Sequence, residues 1–208
     1  MSPSNLHEQA LKLGTSTLYE ASCLPCSVDP AIRPVWAGAA VAGPAYPVHC
    51  APGDNLAIHL AVERAPRGSV LVVTAENFVA GYWGEVLTVA AEAAGITGLV
   101  IDGGVRDVAA LARWGFPVFA RGISVRGTIK ASVPSVGQSI QITGVPVSVG
   151  DLVVADDDGV VVVPMADVAR VMSAAQIRAD KEAEFMRRLT EGTRTVDLLG
   201  LAAWREQA

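Results

Sequence analysis

Two apolar runs, residues 69–74 (SVLVVT) and 98–102 (GLVID), most constrain how this chain can fold. Both are rich in β-branched residues and show little alternation with polar ones, the pattern of a strand buried on both faces. Each leads through a glycine-bearing loop into a helical pattern. Residues 75–83 precede a helix over 84–94, and Gly103-Gly104-Val105 precede one from Arg106 through Trp114. A further strand, 118–120, begins after Gly115-Phe116-Pro117. Strand–helix–strand–helix–strand is the grammar of a parallel α/β unit, and helices are expected to cover its apolar strands.

The flanks read differently. Residues 5–13 are helical up to Gly14, and 16–20 start a second short helix. Recurring prolines (Pro25, Pro30, Pro34, Pro44, Pro47, Pro52) exclude helix over the next stretch. Short strands fit there at 35–41 and 46–50. Pro52-Gly53-Asp54-Asn55 is a turn and an N-cap for a helix reaching Arg64, with Leu56, His59, Leu60 and Val62 on its apolar face. After residue 120, short strands at 139–143, 145–149, 152–156 and 160–163 alternate with glycine turns, and Pro164 precedes one long helix over 165–191. No linker divides the chain, so residues 1–208 are expected to form a single α/β domain with mixed sheets and a long C-terminal helix.

Composition bounds the function. Hydrophobic residues are 51% and charged residues only 18% of 208, so the chain is expected to fold and to hide part of its surface in a homo-oligomer. With a formal charge of -5 and no Lys/Arg-rich run, nucleic-acid binding through phosphates is not expected. No apolar run is long enough to cross a membrane, and residues 1–14 lack the signs of a signal peptide, so a cytoplasmic location is expected. Cys23, Cys26 and Cys50 are read as buried or loop thiols, not a disulfide framework.

The two strand-to-helix junctions hold the candidate chemistry. Gly84, Glu85, Val86 and Leu87 would present free N–H groups at a helix start, which suits a carboxylate. Arg106 can clamp a carboxylate in a bidentate pair. Asp107 is a hard oxygen ligand for Mg²⁺ or Mn²⁺. On neighbouring parallel strands, both junctions would share one mouth of the sheet, where ligands bind in open α/β folds. A 2-oxo acid held there against a dication would have its carbonyl polarised, favouring cleavage of the C3–C4 bond. The alternative is an ordinary helix start with a capping carboxylate and a surface arginine.

Glu85, twenty residues, then Arg106-Asp107, set within VIDGGVRDVAAL and GFPVFARG, resembles the RraA-like family. So do PGDNLAIHLAVERAPRGSVLVV, GDLVVADDDGVVVVP and KEAEFMRRLTEG, and the likeness runs from about Thr15 to Gly192. That family includes class II 4-hydroxy-4-methyl-2-oxoglutarate/4-carboxy-4-hydroxy-2-oxoadipate aldolases and regulators of ribonuclease E activity. The resemblance implies a β/β/α swivelling-domain fold, a trimeric ring or a hexamer of two rings, a Mg²⁺ or Mn²⁺ cofactor and active sites between subunits. It implies that Arg106 binds the pyruvyl carboxylate, Asp107 ligates the metal, and the backbone of Gly84, Glu85, Val86 and Leu87 holds the pyruvyl end. It further implies that Glu85 works as an acid/base element through metal-bound water and that Glu182 reaches a neighbour's site. The implied reaction cleaves 4-hydroxy-2-oxo diacids to pyruvate and a 2-oxo acid, with oxaloacetate decarboxylation as a side activity. One departure is Ala110, where aldolases of the family often carry an acidic residue, so the part of the site facing the rest of the substrate is expected to differ. The rival reading is a non-catalytic, ribonuclease-binding protein of the same fold. A methyltransferase reading is rejected, because no glycine-rich loop is placed like a methyl-donor site.

Other polar features have structural readings. Asp156-Asp157-Asp158-Gly159 is expected to be a β-turn and Lys181 a partner in helix-surface ion pairs; His49 and His59 could lie near the site, with packing or surface roles expected. Tyr82 and Trp83 could flank a substrate or pack the loop.

Overall fold

Residues 69–74 and 98–102 form the centre of a mixed eight-stranded sheet, as their apolarity requires. The computed structural model describes residues 3–206. In chain order the elements are α1 (Pro3–Ser22), β1 (Arg33–Pro34), β2 (Val41–His49), α2 (Leu56–Arg64), β3 (Val70–Thr74), α3 (Glu85–Ala94), β4 (Gly98–Val105) and α4 (Val108–Trp114). β5 (Val118–Ile123), β6 (Ser135–Val136), β7 (Ile140–Ile142), β8 (Val145–Val147), β9 (Leu152–Asp156), β10 (Gly159–Val163), α5 (Val168–Thr190) and α6 (Thr195–Leu198) complete it. The strand order is β1-β5-β4-β3-β2-β9-β10, with β6 beside β2 and a separate β7–β8 hairpin. β2 to β5 run parallel, while β9 and β10 form an antiparallel hairpin on the far side of β2.

The strand expected at 35–41 is not formed. Only Arg33–Pro34 pairs there, against β5, and the ladder resumes at Val41. β2 tolerates Pro44 and Pro47 because it changes partners. It pairs with β9 from Val41 to Pro44 and with β3 from Ala45 to His49. Pro44 precedes the β3 ladder and Pro47 lies past the β9 ladder; at Pro47 the other edge meets Gly137, whose N–H donates to the Pro47 carbonyl at 2.9 Å and asks nothing of its nitrogen.

The covering of the sheet also departs from expectation. Helices cover one face: Ile58 and Ala61 of α2, Leu87 and Ala91 of α3 and Leu111 of α4 pack on Leu71, Val73, Leu99 and Ile101. The other face is covered by strands. Val70, Val72, Val100 and Phe119 pack against Ile142, Val145 and Val147 of the β7–β8 hairpin and Val153 and Val162 of β9–β10. The partner change in β2 lets β9–β10 fold over that face. The outer side of β9–β10 is then buried by α1 and α5, through Leu18, Val171, Met172 and Ala175.

α1 is two helices, as the reading of Gly14 requires. Gly14 adopts φ 78°, ψ 159°, and the second half restarts on the Asp156 carboxylate, which accepts the Thr15 N–H at 2.8 Å and its hydroxyl at 2.6 Å. The 156–159 segment is the expected turn, joining β9 to β10. The long helix is α5, preceded by a 3-10 turn at Met165–Asp167, and the short α6 beyond it was not anticipated.

Candidate active site

Parallel pairing of β3 with β4, Thr74 opposite Asp102, brings the two junctions together at one end of the sheet. The loop after β3 is stitched directly to β4. The Tyr82 N–H donates to the Gly104 carbonyl at 3.0 Å and the Arg106 N–H to the Trp83 carbonyl at 2.9 Å. Gly104 makes this approach possible, since a Cβ there would stand 2.5 Å from the Ala80 carbonyl oxygen. Tyr82 and Trp83 are both buried and pack the loop, and both also line the cavity at this edge. Trp83 stacks on Phe116 with centroids 5.7 Å apart and donates its indole N–H to Thr88 Oγ1 at 2.8 Å.

Asp107 holds the two helix starts together. It is the residue before α4, in the left-handed region at φ 60°, ψ 34°, and its Oδ2 accepts the Glu85 N–H of α3 at 3.0 Å. Such backbone strain in a non-glycine residue persists only where surroundings enforce it, and it clusters at functional sites. Gly84 leaves space for the carboxylate; a Cβ there would fall 2.3 Å from Asp107 Oδ2. This revises the anion cradle. The Glu85 amide is already occupied, and the Val86 and Leu87 N–H groups of the first turn remain for a ligand. Arg106 lies half-exposed beside them, its Nε 3.9 Å from Asp107 Oδ2, a contact too long to occupy the guanidinium.

A cavity of about 320 Å³ lies against this edge, lined by Gly84, Val86, Leu87, Arg106 and Asp107 on one side. Asn55, His59 and Lys130 line it as well. Buried Asp54 fixes that second wall. Its carboxylate accepts N–H groups of Leu56 (3.0 Å), Ala131 (2.8 Å) and Ser132 (2.7 Å) and the Ser132 hydroxyl (3.0 Å), which ties the loop carrying Lys130 to the start of α2. Burial pushes the Asp54 carboxyl up, but those hydrogen bonds outweigh it and hold the group below its ordinary value. Asn55 donates its Nδ2 to the Tyr82 carbonyl at 3.0 Å. Its Oδ1 and the His59 Nε2 are buried with no hydrogen-bond partner. Burial, then the Lys130 charge, lowers the His59 pKa. His59, for which the sequence allows a place near the site as well as a packing or surface role, lines the cavity. Asn55 and Lys130 were missed as site residues; the available signal was Asn55 and His59 four apart on one helix face.

Other candidates lie elsewhere. The Glu85 side chain turns to α4, accepting the Trp114 indole N–H at 3.1 Å with Arg113 at 3.8 Å, and it does not line the cavity. Glu182 sits on α5, which packs on α1, and pairs with Arg178 at 2.8 Å. Ala110 is buried in α4 and brings no polar group. His49 pairs with Glu76 at 3.0 Å. Lys181 lies over the Phe185 ring, 5.3 Å from its centroid, instead of in an ion pair. Cys26 and Cys50 are buried and Cys23 is exposed.

The donor set bears on a metal. Among the described residues no cluster of three or more His, Cys, Asp or Glu could enclose an ion. Among the described residues Asp107 is the one carboxylate lining the cavity. A single hard carboxylate fits Mg²⁺ or Mn²⁺, which keep waters and take further oxygens from the substrate, and does not fit a closed zinc site.

A model of the RraA-like family, described as Aldolase/RraA, matches residues 15–162. A protein of Halalkalibacterium halodurans named "Putative 4-hydroxy-4-methyl-2-oxoglutarate aldolase" is 36% identical over 154 residues, 73% of each chain. An uncharacterized protein from Pseudomonas syringae pv. tomato shares the fold with a TM-score of 0.86 and 27% identity over 94% of this chain and 92% of its own. RraAS2 of Streptomyces coelicolor, described as an unusual member of the RNase ES inhibitor RraA family, superposes with a TM-score of 0.76 and 26% identity, over 88% of this chain and 97% of its own. The matched region contains both junctions and every residue lining the cavity, and on that evidence the chain belongs to the RraA-like family.

Proposed function

We propose that this protein is a divalent-metal-dependent pyruvate aldolase that cleaves 4-hydroxy-2-oxo diacids to pyruvate and a second 2-oxo acid, and decarboxylates oxaloacetate on the side. The observation that carries the reading is the grouping of Arg106, the Asp107 carboxylate and the Val86 and Leu87 amides on one edge of one cavity. Arg106 and the two amides bind the 1-carboxylate of the substrate, a pairing of planar guanidinium and helix terminus with an anion. Asp107 would hold Mg²⁺ or Mn²⁺ through its carboxylate. Bound there, the dication would polarise the 2-oxo group and stabilise negative charge as the C3–C4 bond breaks. Lys130 adds a second cation to the cavity and suits the second carboxylate of a diacid. The relative named as an aldolase supports the same chemistry. Glu182 takes part only from a neighbouring subunit, because within one chain it lies on α5.

The test is pyruvate release from 4-hydroxy-4-methyl-2-oxoglutarate and from oxaloacetate, coupled to lactate dehydrogenase, with Mg²⁺, Mn²⁺ or EDTA. The expected result is metal-dependent turnover that Asp107→Ala abolishes and that Arg106→Ala lowers in kcat/KM by 10²-fold or more, on the order of 3 kcal/mol. Absence of turnover on both substrates with either metal would remove the proposal. The likeness to RraAS2 and the neutral Ala110 favour a second reading, a ribonuclease-binding ring. Inhibition of an RNase E-type nuclease by an Asp107→Ala protein would support it.

A further inference from the structure

We propose that His59 is the proton carrier of the carbon–carbon cleavage, accepting the proton of the substrate's C4 hydroxyl at Nε2 and returning it to C3 of the pyruvate enolate. The inference rests on the aldolase reading and adds a residue to it. Buried polar atoms in folded proteins almost always have hydrogen-bond partners. Among the described residues His59 Nε2 and Asn55 Oδ1 have none, and both residues line the cavity that holds Arg106 and Asp107. They stand four residues apart at the start of α2, on one face of the helix. The Asn55 amide cannot turn its nitrogen toward the cavity without losing the bond from Nδ2 to the Tyr82 carbonyl. That leaves Oδ1 an unfilled acceptor beside an unfilled imidazole nitrogen. A wall with a vacant amide oxygen and an unpartnered imidazole nitrogen calls for a ligand with a hydrogen-bonding group, and a hydroxyl, which can donate to either, is what a 4-hydroxy-2-oxo acid offers.

The ring is in the right state for the first step. Burial and the Lys130 charge disfavour its protonation, and in the tautomer that carries the proton on Nδ1 the neutral ring leaves Nε2 free to accept. The C4 O–H bond then breaks, with its proton passing to Nε2. The electron pair left on oxygen forms the C4 carbonyl as the C3–C4 bond breaks. The pair of that bond remains on the three-carbon fragment as the enolate. Nε2 returns the proton to C3, giving pyruvate and a neutral ring. The substrate becomes two products with no other reactant consumed. Decarboxylation of oxaloacetate has no hydroxyl proton to remove, so Nε2 is not needed to break its C–C bond; it shares with cleavage only the protonation of C3, which follows that step and which water can supply in its place.

The experiment uses the full chain with saturating Mg²⁺ and the variants His59→Gln and His59→Asn, each checked by circular dichroism for a native spectrum. Three rates are compared with wild type: cleavage of 4-hydroxy-4-methyl-2-oxoglutarate, decarboxylation of oxaloacetate, and exchange of the methyl protons of pyruvate into D₂O, followed by NMR. The expected result is a fall of roughly 10²–10⁴-fold in kcat for cleavage and a comparable fall in exchange, with decarboxylation within about tenfold of wild type. Wild-type rates of cleavage or exchange in both variants would overturn the role of His59 and leave the aldolase reading intact. Equal losses on cleavage and decarboxylation would also overturn it, by showing a general effect on the site. A wild-type protein inactive in all three assays would instead overturn the aldolase reading itself, and this inference with it.

Discussion

Asp107 joins two helix starts through one side chain, and Gly84 provides the space for it. Gly84→Ala is therefore expected to leave the fold intact, since the backbone there is extended at φ -168°, but to push the carboxylate away from the Glu85 amide. Metal-dependent turnover should fall at least as far as in an Asp107→Asn variant, with the circular dichroism spectrum unchanged. The cysteines give a second expectation at this scale. Burial pushes the Cys50 thiol up to about 12, Cys26 Sγ lies 3.4 Å from Ser22 Oγ in the interior, and Cys23 is exposed. Ellman's reagent should titrate one thiol in the native protein and all three in denaturant.

At the scale of elements, carboxylates take the place of side chains within the helices as caps. Asp156, on the β9–β10 turn, caps the second half of α1 from 141 residues away, and Asp54 ties a loop to the start of α2. Asp156→Ala is expected to cost about 1–2 kcal/mol in urea unfolding, the usual worth of a cap. Asp54→Ala should cost more, about 3 kcal/mol, because it leaves several buried donors unpaired. It should also weaken substrate binding, since Lys130 loses its anchor; KM for oxaloacetate measures this. Neither contact was legible in sequence. Asp54 reads as part of a turn and Asp156 as part of a polar loop, and the residues they hold are distant in the chain.

For the whole molecule, acid acts through groups that folding holds away from their ordinary values. Asp29 and Asp54 are lowered, so they contribute stability that is present above about pH 3.8 and lost as pH falls through their folded values. His7 and His59 are also lowered. For them the unfolded chain binds protons first, so stability falls as pH drops below about 6.5. Urea midpoints should decline from pH 7 to 5, less steeply in His59→Gln, and then decline again below pH 4. Exposed apolar residues such as Val86, Val125, Met165 and Ile177 agree with the covered face inferred from composition. An apolar groove of about 970 Å³ lies where α1 meets α5. Sedimentation at micromolar concentration is expected to give a multiple of 21.6 kDa, and a clean monomer would contradict the homo-oligomer expected from composition.

The order of local elements was decided by the sequence, because it depends on short-range signals: apolar runs, the Pro52-Gly53-Asp54-Asn55 turn, glycine stops and the amphipathic start of α5. The nearness of Arg106 and Asp107 to the start of α3 was also legible, since parallel strands place successive junctions at one edge. Three things waited for the tertiary structure. One was the strand cover of the second sheet face, which depends on where β2 exchanges β3 for β9. Another was the occupation of the Glu85 amide by Asp107, and with it the turning of the Glu85 side chain toward Trp114. The last was the polar wall of Asn55, His59 and Lys130. Each depends on the direction of a side chain or the path of a strand relative to residues far away in the chain, and local propensity and spacing carry no information about that.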